Sequence, residues 1–142
     1  RKKQLLFDFL QGKRKIMIAT SAFSMGIDVP DIELVVHFNA PISITDYIQQ
    51  IGRAGRDGRK AHCILFYDRS GDDEAISNSF IKKAKKQSPK AAKTIKSNLN
   101  QVHNFIHSDS CMVCDILEYQ GQDETKTCKR CTVCAQKRRN NK

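Results

Sequence analysis

Residues 34–67 read LVVHFNAPISITDYIQQIGRAGRDGRKAHCILFY, and the order of apolar runs within them decides the fold class. A β-branched run at 34–38 is followed by a helical pattern at 44–51 and a second apolar run at 62–67. Strand, helix and strand in that order predict a parallel sheet with a helical crossover. Ser43 and Asp46 have the spacing of a capping box in which Asp replaces the usual Glu, so the helix is expected to start at Ser43. Gly52 is expected to end it, which puts residues 52–58 in a loop.

The alternation continues upstream. A helix is expected over residues 3–11 with Gly12 as its stop, and a strand over residues 15–20. Downstream, an acidic turn at 68–74 gives way to basic, helix-forming sequence in which Pro89 separates two helices at about 73–87 and 91–107. The expected organisation is therefore an α/β segment, residues 1–70, followed by a helical module, residues 71–142. The segment between Lys82 and Lys96 carries seven lysines and no acid. It is read either as a track for a nucleic-acid backbone or as a solvated helix face, since no aromatic residue interleaves with it for base stacking.

The chain has 142 residues, with 25 Lys and Arg against 15 Asp and Glu, a formal charge of +10. That surplus favours a polyanionic partner, nucleic acid first. The apolar runs fall short of the roughly 20 residues a bilayer span needs, and Asp8 interrupts the first of them. No membrane partner and a soluble, intracellular protein are expected. The chain opens at Arg1 with an apolar helical stretch, as a piece of a longer protein would.

Two constellations carry chemistry. In the first, Arg53 and Arg56 stand three apart in a glycine-rich loop after a helix. Glycines permit close backbone approach, and each guanidinium offers a planar fork of donors to phosphate oxygens. The same five residues, Gly52 to Arg56, also suit a plain solvated turn. In the second, five of the six cysteines crowd between residues 111 and 134, a density that favours metal over disulfides, while Cys63 sits in an apolar strand. Cys111, Cys128, Cys131 and Cys134 suit a closed tetrahedral zinc site, but Cys111 and Cys114 with Cys131 and Cys134 suit a two-plus-two ribbon equally well. Spacing leaves both open. His103 and His107 lie one helical turn apart and are read as surface or packing residues, as His37 and His62 are read as strand residues. Lys137, Arg138 and Arg139 read as a nuclear address or a solubilising tail.

Residues 19–30, ATSAFSMGIDVP, with residues 34–38 resemble motif V of superfamily 2 helicases, and the arginine loop, with Gln49 before it, resembles motif VI. The wording around residues 22–28 is similar to the RecQ version, with Ser24 standing where that family usually has glycine. The cysteine segment resembles the RecQ zinc module: Cys111 opening a helix, then Leu117, Tyr119, Gly121 and three cysteines two residues apart. Met112 and Val113 replace two arginines of that family.

The resemblance implies the C-terminal part of the second RecA-like lobe of an ATP-dependent DNA helicase, followed by a helical zinc-binding subdomain. It implies ATP and Mg2+ bound jointly with the N-terminal RecA-like lobe of the same protein, and single-stranded and duplex-junction DNA as partners. Arg56 matches the arginine finger and Arg53 a second γ-phosphate contact. Gln49, Gly26 and Asp28 fall on the nucleotide side, and Thr20 matches a contact to a DNA phosphate. Cys111, Cys128, Cys131 and Cys134 match the ligands of a structural Zn2+, with Cys114 a spare thiol. The expected compartment is the nucleus in a eukaryote, otherwise the cytoplasm or nucleoid. No G-x-x-x-x-G-K-[ST] phosphate loop occurs in the 142 residues, so this piece alone is not expected to hydrolyse ATP.

Overall fold

In the computed structural model, residues 2–20, 32–68, 71–123 and 127–140 are described. Their elements run α1 (Lys2–Leu10), β1 (Leu34–His37), α2 (Ile44–Ile51), β2 (His62–Leu65), α3 (Asp72–Gln87), α4 (Pro89–Ile106), α5 (Met112–Tyr119) and α6 (Thr132–Asn140). The chain divides into two compact units, Arg1–His37 with Gln49–Leu65, and Phe38–Ile48 with Phe66–Lys142. A small parallel sheet with helices, followed by a helical cysteine-bearing region, is the α/β class read from the sequence.

In the first unit, β1 and β2 pair in parallel, Leu34 opposite His62 and His37 opposite Leu65. The His37 ring donates from Nε2 to Gln50 Oε1 at 2.6 Å, tying β1 to the last turn of α2. Burial holds that imidazole below its ordinary range, outweighing the hydrogen bond to Gln50. The strand expected over residues 15–20 is absent. A strand is stable only with a hydrogen-bonded neighbour, none of the described residues pairs with this stretch, and Ile16 and Ile18 are 81% and 95% exposed. The sheet strands also stop short of Phe38 and Phe66.

The second unit has the better core: Ile44, Tyr47, Ala84, Val102 and Phe105 are buried, Val102 to 2% exposure. The Tyr47 and Phe105 rings lie 5.6 Å apart, and Phe38 meets Phe66 edge to face at 6.3 Å. Ser43 caps the start of α2, its Oγ accepting from Asp46 N at 3.1 Å and donating to Asp46 Oδ2 at 2.8 Å. Helix α3 carries Asp72, Asp73 and Glu74 in its first turn and Lys85 and Lys86 in its last, signs that complement the helix dipole. Pro89 is the first residue of α4 rather than a mere spacer, with Ser88 as cap accepting from Ala91 N at 3.0 Å.

Asp73 has a role the sequence did not disclose. At 3% exposure, it accepts from Ala40 N at 2.9 Å and Asp68 N at 2.7 Å, clamping two chain segments to the start of α3. Asp73→Ala strands both donors and is expected to cost about 2–4 kcal/mol. Urea denaturation of the chain measures this; a loss under half a kcal/mol would contradict the clamp.

Candidate functional site

Cys111 is the N-cap residue of α5, Cys128 and Cys131 lie in the turn before α6, and Cys134 is in its first turn. The four Sγ atoms lie within 4.8 Å of one another, with Cys128 to Cys134 and Cys131 to Cys111 each at 4.0 Å. Four sulfurs about 2.3 Å from one zinc ion stand about 3.8 Å apart in a tetrahedron, so the cluster fits the metal with little adjustment. Cys114 lies outside this set, and its backbone N–H hydrogen-bonds to Cys111. Cys63 is elsewhere, in β2, its thiol donating to Ile51 O at 3.9 Å.

The backbone around the cluster is arranged for thiolates. Cys128 N donates to Cys111 Sγ at 3.3 Å, Cys131 N and Arg130 N to Cys128 Sγ at 3.2 and 3.4 Å, and Cys134 N to Cys131 Sγ at 3.5 Å. The turn that aims these amides requires Lys129 at φ 59, and Arg138 Nη2 holds it by donating to Lys129 O at 2.7 Å. Arg138 thus ties α6 to the turn that precedes it. Burial pushes the Cys111 thiol up, but the amides of Cys128 and Cys114 outweigh it and bring the group down to about 6. Burial also opposes ionisation of Cys131, and the Cys134 amide overcomes it. Cys134 goes the other way, pushed up to about 12 by burial and then by the Cys131 and Cys111 sulfurs. A bound dication would favour the thiolate form at all four positions.

Helix α5 ends in a Schellman turn, Gly121 N donating to Glu118 O and Gln122 N to Leu117 O, each at 2.9 Å. Gly121 supplies the positive φ of 78 that this turn needs. Tyr119 Oη shares a 2.9 Å hydrogen bond with Thr45 Oγ1, pinning α5 to the first turn of α2.

The arginine loop belongs to the first unit. Gln49 is exposed in the last turn of α2, Arg53 is half-buried and Arg56 is exposed, with Arg56 Nε donating to Gly52 O at 3.2 Å. Gly55 N donates to Ile32 O at 3.0 Å, fastening the loop beside the start of β1. Arg59, not singled out in the sequence, pairs with Asp57 at 2.6 Å and Glu33 at 3.7 Å. Thr20 is exposed and in no regular element. Gly26 and Asp28 lie outside the described residues. Gln49 thus lies in the last turn of α2, Arg53 and Arg56 lie in the loop that follows it, and the four cysteines form a separate cluster.

Gly55 sits at φ 67, where an added Cβ would lie 2.9 Å from Arg59 O and 3.2 Å from the Ala61 Cβ; Gly58, at φ 81, has nothing within 4 Å of such a carbon. Left-handed backbone costs a non-glycine residue about 1–2 kcal/mol, so Gly58→Ala is expected to cost about that much. Gly55→Ala adds the contact and is expected to cost about 2–3 kcal/mol. Equal thermal shifts for the two variants would contradict this loop geometry.

The sequence also missed a ring cluster. Tyr67 meets His107 edge to face at 5.3 Å, and His107 lies 4.4 Å from His103. The four-residue spacing of the histidines was visible, whereas the approach of Tyr67 from far along the chain was not.

Two family profiles match the chain, the helicase conserved C-terminal domain over residues 1–58 and RecQ zinc-binding over residues 71–135. A protein of Acanthamoeba polyphaga mimivirus, provisionally named an ATP-dependent RNA helicase, is 38% identical over 127 residues, covering 89% of this chain and 22% of its own length. The ATP-dependent DNA helicase RecQ of Bacillus subtilis is 35% identical over 130 residues, 92% of this chain and 21% of its own. The human ATP-dependent DNA helicase Q4 is 49% identical over 65 residues, 46% of this chain and 5% of its own. The chain thus spans about a fifth of the length of the mimivirus and Bacillus relatives.

Proposed function

Because the chain belongs to the RecQ helicase family, as a helicase C-terminal region followed by a zinc-binding region, we propose that it is part of an ATP-dependent DNA helicase that moves 3′ to 5′ along a single strand. Residues 1–70 are assigned to the C-terminal part of the second RecA-like lobe, and residues 71–142 to the helical hairpin and zinc subdomain. The whole protein acts in replication, recombination or repair, in the nucleus of a eukaryote or the nucleoid of a bacterium. No helix among the described residues is long and apolar enough to cross a membrane.

ATP with Mg2+, held jointly with the N-terminal RecA-like lobe of the same protein, supplies the free energy for movement. Arg56 stabilises the charge that develops on the transferred phosphoryl group. Arg53 makes a second γ-phosphate contact, and Gln49, Gly26 and Asp28 read the nucleotide. Thr20, exposed and outside any element, meets a DNA phosphate. Cys111, Cys128, Cys131 and Cys134 hold a structural zinc that fixes α5 against α6.

The observation that carries this reading is the placement of the arginine loop within the residues matched by the helicase C-terminal profile. Strand displacement by the natural-length protein tests it. Unwinding of DNA with a 3′ tail, and little with a 5′ tail, is expected. Preferential unwinding of an RNA duplex would instead favour the activity named for the mimivirus relative.

A further inference from the structure

One face of α4 has a chemistry that the zinc cluster and the arginine loop do not use. Lys93, Lys96, Asn100, His103 and His107 are all exposed, and at 3.6 residues per turn they fall within an arc of about 80°. The stripe is about 21 Å long, roughly six nucleotides at duplex spacing and fewer in an extended strand. Helix α4 contains no Asp or Glu along its 18 residues, so nothing on it repels a phosphate. At its C-terminal end the stripe finishes in rings: His103 and His107 at 4.4 Å with their planes 48° apart, and Tyr67 standing edge-on to His107 at 5.3 Å.

We propose that this stripe is a single-stranded DNA track in which Lys93 and Lys96 meet phosphates and the His103, His107 and Tyr67 rings receive a base. The inference rests on the DNA-helicase reading and extends it by assigning residues of the hairpin to the strand. Charge complementarity selects a polyanion, and two exposed imidazoles continuous with the lysines and backed by the half-buried Tyr67 ring select one whose bases are unpaired, because duplex bases are already stacked. The rings act through their π-faces, so the site tolerates any base and follows the strand without reading its sequence.

Fluorescence anisotropy of the zinc-loaded chain tests this with a labelled ten-residue oligothymidylate and its abasic counterpart, which keeps the phosphates and lacks the bases. The double variant His103→Ala/His107→Ala is expected to bind the oligothymidylate about tenfold more weakly and the abasic strand unchanged. His103→Phe/His107→Phe should restore binding, since phenyl rings stack without hydrogen-bonding. Lys93→Ala/Lys96→Ala should weaken both strands and lower the slope of affinity against salt by about 1–2. Both His residues are exposed, and circular dichroism with zinc content checks that each variant is folded. An alanine double variant that binds the oligothymidylate normally, or loses both strands equally, overturns the track while leaving the helicase reading in place. Failure of the folded wild-type chain to bind either strand also overturns the track, while strand displacement by the natural-length protein decides the helicase reading separately.

Discussion

Cys128→Ser is expected to empty the metal site and unfold the segment from Cys111 to the end of α6, while Cys114→Ser keeps one zinc per chain. The reason is the poverty of apolar support there. Helix α5 has no fully buried residue, and the buried residue of α6 is Cys134 itself. A segment so built owes its fold to the metal, which in comparable small sites contributes about 10–16 kcal/mol of apparent folding free energy. Chelation should therefore act like the mutation, removing the signal of the two short helices from circular dichroism while α3 and α4, which carry the buried Ala84, Val102 and Phe105, persist. Metal analysis of the two variants checks it. Zinc retained in Cys128→Ser and lost in Cys114→Ser would establish the two-plus-two ribbon instead.

The second large effect is on catalysis. Arg56→Ala in the natural-length protein is expected to lower ATP turnover about 10³- to 10⁵-fold, the usual worth of an arginine finger, with nucleotide binding largely kept. Arg56→Lys should recover little, because a point charge does not reproduce the planar fork. The exposure of Arg56, fastened through Nε to Gly52 O, suits a residue that acts across a cleft. Turnover within threefold of wild type would remove the assignment.

The sequence was most legible where local chemistry decides structure. Ser43 with Asp46 starts α2 as expected, Pro89 separates α3 from α4, and α2, α3 and α4 fall close to the expected spans. It was least legible where a partner distant in sequence decides. Residues 15–20 have a strand's composition, but a strand is made by its neighbour, and here Ile16 and Ile18 stay exposed. Phe38 and Phe66 extend the apolar runs in the sequence, yet they leave the ladder and pack on each other.

The same distinction governs the sites. Spacing could not choose between two sets of four cysteines. The fold brings Cys111 to the others by placing it at the cap of α5, while Cys114, three residues into the same turn, stays outside the four-sulfur set. The arginine loop was readable from its glycines, but its fastening through Gly55 N to Ile32 O and the Arg59–Glu33 ion pair depends on residues more than twenty positions away. Asp73 looked like one acid in an acidic turn; its two backbone partners at Ala40 and Asp68 make it a clamp.

The central claim is that the arginine loop belongs to a working DNA-driven motor. The most direct test is the rate of ATP hydrolysis by the natural-length protein, measured with and without single-stranded DNA. Strong stimulation by DNA, abolished by Arg56→Ala, is the predicted result. Absence of turnover under both conditions, in a protein that carries its zinc, would contradict the account and leave a zinc-stabilised nucleic-acid-binding module in its place.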